Sequence, residues 1–177
     1  KQSPLHARHV EAHAKFADFG GWSMPLQYAG IVAEHKAVRD SVGIFDVSHL
    51  GKVTVRGAGA IDFLNTCFTN DLNKIGAGQA QYTMLCNESG GVVDDLIVYR
   101  FADDQVFLIP NAANTPAVVA ILRSQMPPGI EITNEHDDFA VLAVQGPKSD
   151  ETLAAMGLPT GHDYMSFAVA EFDGVRL

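Results

Sequence analysis

The chain has 177 residues, of which 47% are hydrophobic and 19% are charged, and its formal net charge is −9. This composition is typical of a folded globular protein and argues against disorder. The negative charge and the scattered basic residues disfavour binding to nucleic acid or to an anionic membrane surface. Apolar stretches are too short to span a bilayer, and we expect no secretory leader. Two cysteines, Cys67 and Cys86, make no disulfide framework and no zinc site on their own, which favours a reduced, cytoplasmic setting.

The first part of the chain predicts two helices with a turn-rich patch between them. His6 to Lys15 lacks Gly and Pro and predicts a helix, with a break at Gly20–Gly21. Gly20 to Pro25 is typical of turns. Glu34 to Asp40 predicts a second helix that ends near Gly43.

A different pattern begins at Lys52, where alternation of polar and apolar residues predicts strands. Helical spacing predicts two helices among them, the second with Thr115 as its cap and Pro116 at its first position. The predicted order is strand, helix, three strands, helix and strand: Lys52–Arg56, Ala60–Cys67, Gln81–Cys86, Val92–Phe101, Val106–Ile109, Thr115–Gln125 and Glu131–Thr133. Hairpins dominate this order, so the fold class is α+β with mainly antiparallel sheets.

The last part of the chain predicts a strand over Phe139–Gln145, a short helix over Ser149–Met156 and a final hairpin. The returning strand of that hairpin has only Val175–Leu177. Because a domain seldom ends on a strand that has barely begun, we expect the chain to be part of a longer protein.

Two adjacent carboxylates, Asp94 and Asp95, lie within a run that is otherwise apolar. Neighbouring residues of a strand point to opposite faces, so Asp94 shares a face with Leu96 and Val98. A carboxylate among apolar neighbours must be hydrogen-bonded, paired or neutralised, which makes it a candidate for proton handling or for holding a polar ligand atom. The alternative is that both residues bond the amides of the preceding hairpin turn.

Histidines and amides give weaker signals. His6, His9 and His13 fall on one helical face, where a solvated surface is a simpler interpretation than a metal site. Asp46 to His49 contains the residue types of a hydrolase triad, but groups of a triad normally converge from separate segments. Asn111 and Asn114 follow a predicted strand; their amides suit a heterocycle with amide-like edges and equally suit a helix N-terminus.

Taken together, the motifs resemble the glycine cleavage system T protein family. The matching segments occur in the family's order over nearly the whole chain: Gly20–Leu26 (GGWSMPL), Gly43–Gly51 (GIFDVSHLG), Thr69–Leu72 (TNDL), Gln81–Leu85 (QYTML), Glu88–Tyr99 (ESGGVVDDLIVY), Asn111–Asn114 (NAAN) and Ala143–Pro147 (AVQGP). Each motif alone is weak, whereas the ordered set is highly specific.

The resemblance implies an aminomethyltransferase that uses tetrahydrofolate as cosubstrate and needs no metal. Such a protein takes the aminomethyl group from the lipoyl arm of the H protein, transfers the carbon to tetrahydrofolate and releases ammonia. It implies Asp94 as the key acid, and Asn111, Tyr82 and Leu50 as folate-binding residues. Leu50 stands where the family often has Met, an exchange that keeps the volume. Cys86 and Pro110 depart from the family's usual Asn and Val.

The resemblance also implies a three-domain fold arranged around the folate. Residues 1–50 and 137–177 are expected to form parts of a discontinuous first domain and residues 51–136 a second α+β domain. A third domain and a folate-gripping segment are expected beyond Leu177, so we expect this chain alone to be inactive.

Two other functions remain open from the sequence. One is a folate-binding module of a dehydrogenase or oxidase of methylated glycines, and the other is a non-enzymatic folate-binding protein of iron–sulfur maintenance. In the complete protein we expect Asp94→Asn to reduce turnover strongly with little loss of stability, and Asp95→Asn to reduce it less.

Overall fold

The computed structural model describes residues 1–177, which divide into two compact units. The first unit comprises Lys1–His49, Ala140–Asp163 and Ala168–Leu177. The second unit comprises Leu50–Phe139 and Tyr164–Phe167. No helix in the chain is long and apolar enough to cross a membrane.

A five-stranded antiparallel sheet with two α-helices forms the second unit. Its elements in chain order are β4 (Val53–Arg56), α3 (Ala60–Cys67), a 3₁₀ turn (Leu72–Lys74), β5 (Gln79–Cys86), β6 (Val92–Ala102), β7 (Gln105–Ile109), α4 (Thr115–Gln125) and β8 (Glu131–Asn134). The strand order across the sheet is β5-β6-β7-β4-β8. The predicted α+β class and mainly antiparallel pairing are confirmed.

The core of the second unit lies between one face of this sheet and the two helices. Leu96 and Val98 of β6 and Leu108 of β7 are fully buried on the sheet side. Leu64 of α3 and Leu122 of α4 are fully buried on the helix side. Each such side chain contributes about 1.5–3 kcal/mol through burial, which fixes the face that β6 turns inward.

Residues 68–72 cover the outer edge of β5, which is an edge strand. Phe68 forms a bridge to Leu85, and the amide of Thr69 donates to the carbonyl of Met84 over 3.0 Å. The side-chain amide of Asn70 donates to the carbonyl of Tyr82 over 3.0 Å. These bonds satisfy backbone groups that an open edge would leave unpaired, and they fix the backbone at Tyr82.

Small two-stranded sheets and three helices make up the first unit. Its elements are α1 (His6–Glu11), β1 (Lys15–Phe19), β2 (Trp22–Gln27), α2 (Ile31–Asp40), β3 (Gly43–Asp46), β9 (Leu142–Gln145), α5 (Ser149–Ala155), β10 (Glu171–Phe172) and β11 (Val175–Arg176). The pairs β1–β2, β3–β9 and β10–β11 are antiparallel.

The largest departure from the predicted elements is near the N-terminus. The patch from Gly20 to Pro25 is not a run of turns, because Trp22 starts a strand that pairs with β1. Gly20 and Gly21 both have positive φ, at 60° and 82°, which suits the two-residue turn of this hairpin. The first helix ends at Glu11, short of the predicted Lys15, and His13 lies in the left-handed region with φ of 57°.

Candidate functional site

Asp94 is buried on the core face of β6, where only 1% of its surface is exposed. Leu96 and Val98 share this face, as strand alternation predicts. The turn before β6 is organised by another residue, because Asn87 Oδ1 accepts from the amides of Ser89 and Gly91. Asp94 therefore does not serve the turn amides, and the alternative interpretation is wrong for this residue.

Three protein donors hold the Asp94 carboxylate. The backbone N–H of Asn111 donates to Oδ2 over 3.0 Å, and the side-chain amide of Asn111 donates to Oδ1 over 3.0 Å. The side-chain amide of Asn114 donates to Oδ1 over 2.7 Å. Bonds to a charged acceptor contribute about 1.5–3 kcal/mol each, which offsets the desolvation of the buried carboxylate.

The sequence at the end of β7 explains why Asn111 lies here. Pairing between β6 and β7 stops at Ile97 and Ile109, and the residue that follows β7 is Pro110, which has no N–H to donate. The side-chain amide of Asn111 donates instead to the carbonyl of Asp95 over 2.8 Å. Asn111 thus adds one bond beyond the last β6–β7 pair and contacts both aspartates.

Asp95 lies on the opposite face of β6 and is exposed. Its Oδ1 accepts from the side-chain amide of Asn111 over 3.1 Å, and its Oδ2 accepts from the hydroxyl of Tyr82. Tyr82 pairs with Ile97 and Asp95 with Met84, so Tyr82 and Asp95 are diagonal neighbours on one face, within reach of a long aromatic side chain. This hydrogen bond to a carboxylate raises the pKa of the Tyr82 phenol above its ordinary value, with desolvation as a smaller cause.

Leu50 precedes the residue that fixes the approach of β4 to this corner. The amide of Gly51 donates to the carbonyl of Pro110 over 2.8 Å. A Cβ on Gly51 would lie 2.2 Å from Thr115 Oγ1 and 2.7 Å from Pro110 Cγ, so a larger residue does not fit. Leu50 is half-buried and directly precedes Gly51. Gly51 packs against Pro110, the residue before Asn111.

Helix α4 begins beside Asp94 and adds to its electrostatic stabilisation. No acidic residue lies in the first turn of α4, so the partial positive charge of the helix N-terminus acts on this carboxylate without competition from within that turn. The N-cap of α4 is Asn114 and not the predicted Thr115. The Asn114 side chain makes no capping bond and donates to Asp94 instead.

The structure brings three of the four residues predicted for the site, Asp94, Asn111 and Tyr82, into one hydrogen-bonded group. It adds Asn114 and Asp95. The sequence marks Asn114 as a candidate for a heterocycle or a helix N-terminus, but local spacing does not indicate its bond to Asp94, 20 positions away. The link from Tyr82 to Asp95 depends on strand register, for which the sequence carries no signal.

A second polar cluster lies in the first unit and corrects the interpretation of His9. This residue is buried, with 8% of its surface exposed, and is not part of a solvated helix face. Its Nε2 lies 2.7 Å from Asp46 Oδ2, and its Nδ1 lies 2.8 Å from the Tyr28 hydroxyl. Asp46 also accepts from the hydroxyl of Ser3 and from the amide of Ser48. Asp46 therefore binds a histidine 37 positions away.

Burial acts to raise the pKa of the Asp46 carboxyl. The hydrogen bonds from Ser3, Ser48 and His9 together outweigh that effect and hold the pKa below its ordinary value. This cluster ties the N-terminal residues to the end of β3. No group of three or more His, Cys, Asp or Glu side chains in residues 1–177 is arranged to hold a metal ion.

Comparison with known proteins places these motifs in one family. Residues 5–177 match the model of the family described as "GCVT N-terminal domain". The chain is 61% identical over 176 residues to an aminomethyltransferase of Parafrankia sp., covering 98% of this chain and 48% of that relative. It is 60% identical over 172 residues to an aminomethyltransferase of Mycobacterium tuberculosis, covering 97% of this chain and 47% of that relative.

A solved structure supports the same relationship. The crystal structure of glycine cleavage system aminomethyltransferase T from Bartonella henselae matches with a TM-score of 0.86 and 36% sequence identity, covering 94% of this chain and 46% of that chain. The chain thus spans somewhat less than half the length of the relatives it matches. Since the family model covers nearly all of the chain, the chain belongs to the GCVT N-terminal domain family, as its motifs predict.

Proposed function

We propose that this chain is the N-terminal part of a tetrahydrofolate-dependent aminomethyltransferase of the glycine cleavage system. The complete protein takes the aminomethyl group from the lipoyl arm of an H protein, transfers the carbon to tetrahydrofolate and releases ammonia. The proposed location is the cytoplasm. Support comes from relatives of about 60% identity that carry the name aminomethyltransferase.

The chemical part of this proposal depends on one observation, the buried Asp94 carboxylate held by three donors. A carboxylate can accept about four hydrogen bonds. Asp94 Oδ1 accepts two and Oδ2 accepts one, so Oδ2 keeps an acceptor position. An N–H group of a pterin ring is a suitable donor for that position. Asp94 therefore fits folate as a ligand. Asn111, Tyr82 and Leu50 are the proposed neighbours of the folate.

Asp94 is suited to this task because its donors fix it before any ligand arrives. When bound, tetrahydrofolate would supply the nitrogen nucleophile that receives the one-carbon unit. A carboxylate held by three donors can orient an N–H group, stabilise positive charge that develops on nitrogen, and hold or release a proton at one oxygen. Asn111 and Asn114 keep the carboxylate at the end of the buried face of β6.

The two compact units support a proposal for the architecture of the complete protein. We propose that residues 1–50 and 137–177 contribute to a discontinuous first domain and that residues 51–136 form the second domain.

An assay of the complete gene product tests the function. We expect ammonia release from an aminomethyl-lipoyl H protein that depends on added tetrahydrofolate. A matched reaction with dimethylglycine and an electron acceptor separates the first alternative function, because a dehydrogenase module would support that reaction and the proposed transferase would not. Folate binding without either reaction would favour a non-enzymatic folate-binding protein and contradict the proposal.

A further inference from the structure

We propose that Asp95 sets the hydrogen-bond polarity of the folate site, so that the site selects ligands that offer N–H donors. This inference rests on the proposed function, because it assigns the ligand chemistry of the same corner of the sheet. Asp95 is a positioning residue here: it acts through Tyr82 and Asn111.

The Tyr82 phenol is the first group that Asp95 orients. A phenol can donate one hydrogen bond and also accept. In this structure its hydroxyl donates to Asp95 Oδ2, so the donor is used and the oxygen is left as an acceptor. Tyr82 has 53% of its surface exposed, and a phenol in that position can reach a ligand.

The Asn111 side chain is the second group that Asp95 orients. Its Nδ2 lies 2.8 Å from the carbonyl of Asp95, 3.1 Å from Asp95 Oδ1 and 3.0 Å from Asp94 Oδ1. These three acceptors fix the amide with its nitrogen toward the two aspartates. The amide oxygen, Oδ1 of Asn111, must then face away from them, which leaves it as an acceptor.

Together these contacts give the corner a single polarity. The Asp95 carboxylate accepts hydrogen bonds from Tyr82 and Asn111. The phenol oxygen of Tyr82 and the amide oxygen of Asn111 remain as acceptors. A ligand that brings further acceptors would leave oxygen facing oxygen, whereas an amino-substituted pterin edge brings N–H donors. An amide or a phenol can otherwise present either a donor or an acceptor to a ligand. The carboxylate of Asp95 fixes Tyr82 and Asn111 as acceptors.

The first measurement needs no activity. Tyrosine labelled with ¹³C at Cζ gives one NMR signal for each of the four tyrosines, and Tyr82→Phe assigns the signal of interest. We expect the Tyr82 phenol to titrate at lower pH in Asp95→Asn than in the unmodified chain, because the charged acceptor is gone. Asp104→Asn removes the same charge at the opposite end of β6 and is the matched control, for which no change is expected. An unchanged Tyr82 titration in Asp95→Asn overturns the inference.

The second measurement uses ligands and the complete gene product. The probes are 6-methyltetrahydropterin and its 2-dimethylamino analogue, which lacks the exocyclic N–H donors. We expect the donor-bearing probe to bind about tenfold more tightly, which corresponds to one unsatisfied polar group. We expect Asp95→Asn to reduce this ratio several-fold and Asp104→Asn to leave it unchanged.

These two measurements separate the inference from the proposed function. A binding ratio that Asp95→Asn leaves unchanged overturns the inference even if transferase activity is present. If the phenol titration shifts as expected and neither pterin binds, the positioning of Tyr82 by Asp95 stands, but the proposed folate function and the ligand selection built on it are wrong.

Discussion

Replacement of Asp94 with Asn tests the hydrogen bonds that hold the buried carboxylate. The substitution puts an NH₂ group where an oxygen accepts. If that group takes the place of Oδ1, it faces two side-chain amides; if it takes the place of Oδ2, it faces one backbone N–H. The second arrangement loses fewer bonds, and it leaves only the backbone N–H of Asn111 without an acceptor at residue 94. A donor left unsatisfied in a buried position costs about 1–3 kcal/mol.

Two further effects oppose each other. The remaining bonds from Asn111 and Asn114 become neutral and weaker, while the desolvation of a charged group no longer has to be offset. We therefore expect Asp94→Asn to lower the free energy of unfolding by about 1–3 kcal/mol. From the hydrogen bonds of Asp94 we thus expect a larger loss of stability than from the sequence alone, which suggests little loss.

The assay is urea unfolding of the 177-residue chain, followed by far-UV circular dichroism and tryptophan fluorescence. Asp104→Asn is the control, because it removes the same charge from an exposed position outside this hydrogen-bonded group, where losses stay near 0.5 kcal/mol. Equal free energies of unfolding for the two variants would refute the network around Asp94.

Three further perturbations test other contacts. Asn114→Ala removes one donor from Asp94 without removing a capping bond, and we expect unfolding to need about 1 kcal/mol less, measured by urea titration. Gly51→Ala places a methyl group 2.2 Å from Thr115 Oγ1, and we expect the free energy of unfolding to fall by about 1–3 kcal/mol in the same titration. Gly76→Ala is the matched control, because neither glycine has a positive φ and a Cβ on Gly76 meets its nearest atom, Gln79 Oε1, at 3.6 Å. The pKa of Asp46 is lower in the folded chain than in the unfolded chain, so its contribution to stability is present above the unfolded pKa of about 3.9 and is lost as the pH falls through the lower folded pKa. Asp46→Asn should therefore make the free energy of unfolding depend less on pH in this acid range. An unchanged pH dependence would contradict this role of Asp46.

Much of the second unit follows from local patterns in the sequence. Alternation along β6 is enough to place Asp94 on the face of Leu96 and Val98, because a strand has a fixed period of two. The helix over Ala60–Cys67 also follows from spacing, since its apolar residues all face one core. These elements could be predicted because one face of each is buried.

Contacts between distant residues could not be predicted in this way. Asn114 lies 20 positions from Asp94, and His9 lies 37 positions from Asp46. Local chemistry gives both side chains other good roles: Asn caps helices, and His is at home on a solvated face. Only the paired strands and packed helices decide which role is taken. The hairpin of β1 and β2 was obscured by Gly20–Gly21, which marks a break but does not say that strands flank it.

The role of Asp94 is tested most directly by single-turnover transfer with the complete gene product, an aminomethyl-lipoyl H protein and tetrahydrofolate. We predict that Asp94→Asn lowers the rate of ammonia release by about 100-fold or more under conditions where the variant is folded, and that Asp95→Asn lowers it less. A rate in Asp94→Asn close to that of the unmodified protein would contradict the assignment of Asp94 as the acid of the site.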